Sequence, residues 1–159
     1  MGRPSVTILS VALVVAAAAC GGSGEGPGVP LVSTSLAGVF EGEAFTPAFG
    51  VATVYKGSNL IALGDGPLNC GSPQRNEPPS GTNAIVEAPA LDLGSYSSVF
   101  VDMIQNKGNF SGAGSNSATL TITAVSAASV GGSIAYSYTD SMNQTYGLAG
   151  DFEVARCPM

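Results

Sequence analysis

Residues 118–139 read ATLTITAVSAASVGGSIAYSYT, and the order of side chains in this stretch decides the fold class. Leu120, Ile122 and Ala124 alternate with Thr119, Thr121 and Thr123. Further on, Ile134, Tyr136 and Tyr138 alternate with Ser133, Ala135, Ser137 and Thr139. Successive side chains of a strand point to opposite faces, so a period of two marks a strand with one buried and one wet side. Thr, Val, Ile and Tyr also suit a pleated surface. The same period returns at Phe152 and Val154, set between Asp151, Glu153 and Ala155.

Working outward, further strands are expected at Leu36–Phe40, Glu43–Thr46, Val51–Tyr55, Asn59–Leu63, Ala84–Ala88, Ser98–Ile104, Ala118–Val125, Ser133–Thr139 and Thr145–Leu148. Asp151–Cys157 comes last, joined to the strand before it through a bulge at Gly150. Glu41-Gly42 and Lys56-Gly57-Ser58 read as hairpin turns, and a Gly/Asn/Ser loop separates residue 104 from residue 118. No segment after Thr34 carries a convincing amphipathic helical pattern. The expected fold is all-β: an antiparallel sandwich or partly closed barrel of about eight to ten short strands. The polar stretch Gly64–Asn83 reads as a crossover between sheets, stapled by its own cysteine.

Composition excludes several activities. The chain of 159 residues has no His, 5 Lys+Arg and 11 Asp+Glu, and a formal charge of −6. Without His, neither Ser-His-Asp nor Cys-His catalysis is possible, and no imidazole can ligate zinc. So acidic a chain lacks the electrostatic footprint of a nucleic-acid binder.

The first residues, MGRPSVTILSVALVVAAAAC, have a cationic start at Arg3, an apolar middle and a small-residue end. This is the pattern of a secretory signal peptide, and the apolar run is short for a spanning helix. Its end, Ala17-Ala18-Ala19-Cys20, resembles the lipobox of bacterial lipoproteins. The resemblance implies a signal peptide over 1–19 and a lipidated Cys20 as the first mature residue. Several acyl chains on one cysteine give lasting membrane attachment. Gly21, where Asp would favour inner-membrane retention in that family, implies the outer membrane of a Gram-negative cell. Ala17 departs from the family, which more often has Leu at that position.

Residues 20–34 combine the modified cysteine with a Gly/Pro-rich linker reaching roughly 20 Å, leaving 35–159 as the β-rich domain. With Cys20 assigned, Cys70 and Cys157 form an even pair in an exported chain and are expected to join as a disulfide. The domain resembles small β-rich lipoproteins of Gram-negative bacteria. The likeness rests on Gly38, Gly42 and Phe45 at the start, Cys70 after an apolar strand, and Gly150, Phe152 and Cys157 at the close. It implies core and turn positions and no catalytic residue.

Four other sets of residues could carry chemistry. Glu41 and Glu43 could serve as a carboxylate pair for a hydrolase, but Gly42 between them reads as a turn that leaves both exposed. Asp65, Asp140 and Asp151 are oxygen ligands beside turn residues, without the run of a calcium loop. Tyr136, Tyr138 and Tyr146 could form an aromatic row for a sugar or small ligand, or pack as core. The Gly-rich pieces at 21–24 and 112–114 do not pass from strand to helix, so they are not phosphate cradles. The expectation is therefore a non-enzymatic, membrane-anchored envelope protein without metal or cofactor, contacting protein or polysaccharide. The alternative is a small-ligand or carbohydrate-binding β-module.

Overall fold

A computed structural model describes residues 29–31, 35–71 and 80–158. Cys20, the signal segment and most of the linker lie outside the described residues.

Among the described residues nine strands follow one another: β1 (Ala37–Phe40), β2 (Glu43–Phe45), β3 (Phe49–Tyr55), β4 (Ser58–Gly64), β5 (Gly81–Ala88), β6 (Gly94–Asn106), β7 (Phe110–Val125), β8 (Ser129–Thr139) and β9 (Thr145–Arg156). The order β9-β3-β4-β5-β6-β7-β8, closed by β8 on β9, makes a seven-stranded barrel. All neighbours are antiparallel except β3 and β9, which run parallel where the wall closes at Val51–Ala155 and Ala52–Arg156. The β1–β2 hairpin adds two strands along the first half of β9.

The period-2 pattern becomes an inside and an outside. Ile61, Leu63, Ala84, Val86, Val101, Met103, Leu120, Ile122, Ile134, Leu148, Phe152 and Val154 are buried in one interior cluster. Alternate residues of β3 and β4, Val51 and Ala62, pack outside the barrel under Leu68 and Cys157. Leu60, Ile85 and Ile104 form a third buried cluster, also on the outer side, with Tyr55.

Both short hairpins use two-residue turns with positive φ at each position. Glu41 and Gly42 have φ of 51° and 85°, and Lys56 and Gly57 have 49° and 84°. Such turns match the twist of the flanking strands, and glycine takes the second position without a steric cost. Ser58 belongs to β4 rather than to the turn.

The structure corrects the sequence reading at five points. The region between residues 104 and 118 is mostly strand: β6 runs to Asn106 and β7 starts at Phe110, leaving Lys107–Asn109 as the loop. Pairing with β6 holds Ser111, Gly112 and Gly114 extended despite their low strand preference. Two of the strands are accordingly long, 13 residues in β6 and 16 in β7. β9 is continuous through Gly150 without a bulge, since Ala149, Gly150 and Asp151 pair in register with Ala135, Ile134 and Ser133. Gly150, at φ 128°, instead lets the incoming chain pass, because a Cβ there would collide with the Ser35 carbonyl. The stretch after Gly64 joins adjacent antiparallel strands, β4 and β5, and is not a crossover between sheets. Finally, the end of the expected linker packs on the barrel. Val29 donates its N–H to Leu68, Leu31 donates to Ala48, and Leu31 lies against the interior cluster.

Candidate functional site

The sequence points to the cysteine pair, the tyrosines and several carboxylates. The first is the cysteine pair. Cys70 and Cys157 form a disulfide with Cα atoms 5.5 Å apart, within the span such a bond requires. Cys157 follows β9 and donates its N–H to Ala52, continuing the parallel seam by one residue. The bond ties the β4–β5 connection to that seam and lies in the outer cluster with Val51, Ala62, Leu68, Val29 and Phe49. Disulfide-bonded sulfurs offer no reactive thiol.

The second group is the tyrosines at the end of the barrel where β8 turns into β9. Tyr138 and Tyr146 are cross-strand partners, with ring centroids 6.0 Å apart in a stacked arrangement. Tyr146 also meets the edge of Phe40 at 5.3 Å. Tyr136 and Tyr146 are buried, 5% and 3% exposed, while Tyr138 is partly buried. The three therefore do not form an exposed row, and only Tyr138 presents part of a ring. The Tyr136 hydroxyl is buried close to Ser115 without a well-aligned hydrogen bond. Burial raises the pKa of Tyr136. Tyr146 is pushed up to about 12 by burial first and by the negative charges of Asp140 and Glu41 second. Both phenols hold their protons at neutral pH and can donate hydrogen bonds without acting as bases.

Three of the candidate carboxylates, Asp140, Asp65 and Asp151, have a local task. Asp140 Oδ1 accepts the N–H groups of Met142 and Gln144 at 2.8 and 2.9 Å, and Oδ2 accepts the Tyr146 hydroxyl at 3.4 Å. It organises the β8–β9 turn as an Asx residue does. Asp65 Oδ1 accepts the N–H of Thr82 at 2.6 Å, closing the approach to β5. Asp151 takes a hydrogen bond from the Ser35 hydroxyl at 3.3 Å and returns one from its own N–H at 3.0 Å. Glu41 sits in the β1–β2 turn and Glu43 opens β2, both exposed. Among the described residues no three His, Cys, Asp or Glu side chains gather as a metal site would need. A shallow groove of about 180 Å³ lies along β1 and β9, lined by Ala37, Val39, Gly147 and Ala149 among others. Its lining carries no charged side chain.

Sequence reasoning passed over the side of β7 that no strand pairs with, over residues 110–115, among the described residues. From Phe110 to Ser115 this strand pairs with β6, whereas its pairing with β8 begins only at Thr119. A signal was available, because no Asp, Glu, Lys or Arg occurs from Gly108 to Thr139.

Compared with known proteins, the chain matches no family model, no curated protein and no solved structure.

Proposed function

We propose that the protein is an exported lipoprotein, held at a bacterial membrane through Cys20, that displays a disulfide-stapled barrel for non-enzymatic contacts in the envelope. The observation that carries this reading is the Cys70–Cys157 bond. A structural disulfide suits an oxidising compartment, and it accounts for every cysteine but the one that closes Ala17-Ala18-Ala19-Cys20. The outer membrane is the favoured destination because Gly21 follows the cysteine. A non-catalytic role is supported by Asp65, Asp140 and Asp151, which are spent on turns and strand ends, and by the protonated phenols.

The mass of the mature amino-terminal peptide tests the proposal. The wild type should begin at an acylated Cys20, and Cys20→Ser should remain unprocessed. An unmodified wild-type peptide that starts at or before Cys20 would overturn the anchor.

A further inference from the structure

We infer that the free edge of β7, from Phe110 to Ser115, pairs antiparallel with the same edge of a second copy of this chain.

Three observations converge on this segment. First, β6 occupies one side of residues 110–115, while among the described residues no strand pairs with the other side. Near residue 117 the Ser117 hydroxyl donates to the Ser137 carbonyl at 3.0 Å, and the buried Tyr136 hydroxyl of β8 lies close to Ser115. Strand pairing of β7 with β8 stops at Thr119, and residues 110–115, which no strand pairs on this side among the described residues, extend over roughly 20 Å at about 3.3 Å per residue. Second, the usual devices that blunt an edge are missing. The segment FSGAGS has no Lys, no Pro and no inward charge, and the irregularity in the β6–β7 ladder lies beyond it. Third, Phe110 is 62% exposed at the start of this edge.

Charge selects the occupant. The chain carries a net charge of −6, yet residues 108–139, which hold all of β7 and β8, contain no charged side chain. Two acidic copies therefore meet with least repulsion along this wall. A basic peptide would find no carboxylate on the edge itself to recognise it.

Geometry selects the register. An antiparallel pair about a two-fold axis at Gly112 sets Phe110 of each copy opposite Gly114 of the other. Gly114 has no side chain, and the Phe100 ring already lies across it, so that a Cβ there would come within 2.8 Å of Phe100 Cζ. Phe110 of one copy is thus brought beside Phe100 of the other on the outer face, an aromatic cross-strand contact that offsets the weak strand preference of the glycines. The inference does not depend on the lipid anchor, though confinement to a membrane surface would raise the effective concentration of the edges.

The test uses the full chain in detergent micelles, over a range of concentrations, by light scattering coupled to size exclusion. A concentration-dependent dimer is expected. Phe110→Lys should raise the concentration needed for dimerisation at least tenfold. Met142→Lys, at a residue 74% exposed in the β8–β9 turn, should leave it unchanged. Amide exchange at residues 110–115 should slow as the dimer fills. A chain monomeric throughout, a dimer indifferent to Phe110→Lys, or a dimer without protection at 110–115 would each overturn the inference. Equal unfolding midpoints of wild type and Phe110→Lys would show that the variant folds.

Discussion

Gly38 and Phe45 stand opposite each other in the β1–β2 hairpin, and the Phe45 ring fills the space that a Cβ at position 38 would occupy. With Gly42 in the turn between them, the spacing Gly38, Gly42, Phe45 is the outline of a hairpin with an aromatic lid over a glycine. The ring lies against the interior cluster and helps to close the barrel beside β9. Gly38→Ala should push it away and lower the urea midpoint. Phe45→Ala should cost about 2 kcal/mol, below the 3–5 typical of a fully buried Phe, because this ring is only partly buried. In the double variant the losses should sum to less than those of the singles, since the methyl group then enters the vacated space. Additive losses would show that the two positions are not coupled.

Tyr146 should make the fold sensitive to alkali. Its pKa in the folded chain is about 12, against an ordinary value of 10.0. Below pH 10 both folded and unfolded chains keep the proton, so stability is flat with respect to this group. Between pH 10 and 12 the unfolded chain ionises first, and stability falls as pH rises. An ultraviolet titration should show a late phenol that Tyr146→Phe removes. Asp140→Asn should move that phenol towards the ordinary range, because it deletes the nearest negative charge.

Removing the disulfide should be costly. The bond closes a separation of 87 residues, for which chain entropy gives roughly 4–5 kcal/mol, with measured values often smaller. Replacing both cysteines by serine should lower the thermal midpoint by more than 10 °C. A shift of only a degree or two would mean that the outer cluster holds the seam without the bond.

Leu31 should contribute to stability although it precedes the first strand. It donates its N–H to Ala48 and packs against the interior cluster beside Gly50. Leu31→Ala should cost about 1–2 kcal/mol, less than a fully buried leucine. An unchanged midpoint would return these residues to the linker.

The strands with clean alternation were legible because burial on one side and water on the other leave a record at every second residue. Ile134, Tyr136, Leu148, Phe152 and Val154 are of that kind. The cysteine pair was legible from the even count left once Cys20 is set apart, together with the export that the amino-terminal segment leads one to expect. What could not be read was the first half of β7, where Ser, Gly and Asn carry no such record and the backbone ladder alone holds the strand. The difference between sandwich and barrel was equally hidden, because it rests on the parallel contact of Val51 and Ala52 with Ala155 and Arg156, a hundred residues apart in the chain. The tyrosines illustrate a related ambiguity. A row such as Ile134, Tyr136, Tyr138 looks the same whether it faces a ligand or a core, and the packing of Phe40 against Tyr146 decides for the core.

The placement of β9 makes the closure of the wall depend on the last segment of the barrel. It pairs with β8, β1 and β3, and the sulfur that locks the seam follows it directly. A chain emerging amino terminus first can form the β3–β4 and β6–β7 hairpins early, but the wall stays open until residues 145–157 arrive. Until then the wall has no closing strand, and the Cys70–Cys157 bond can form only once residue 157 is in place.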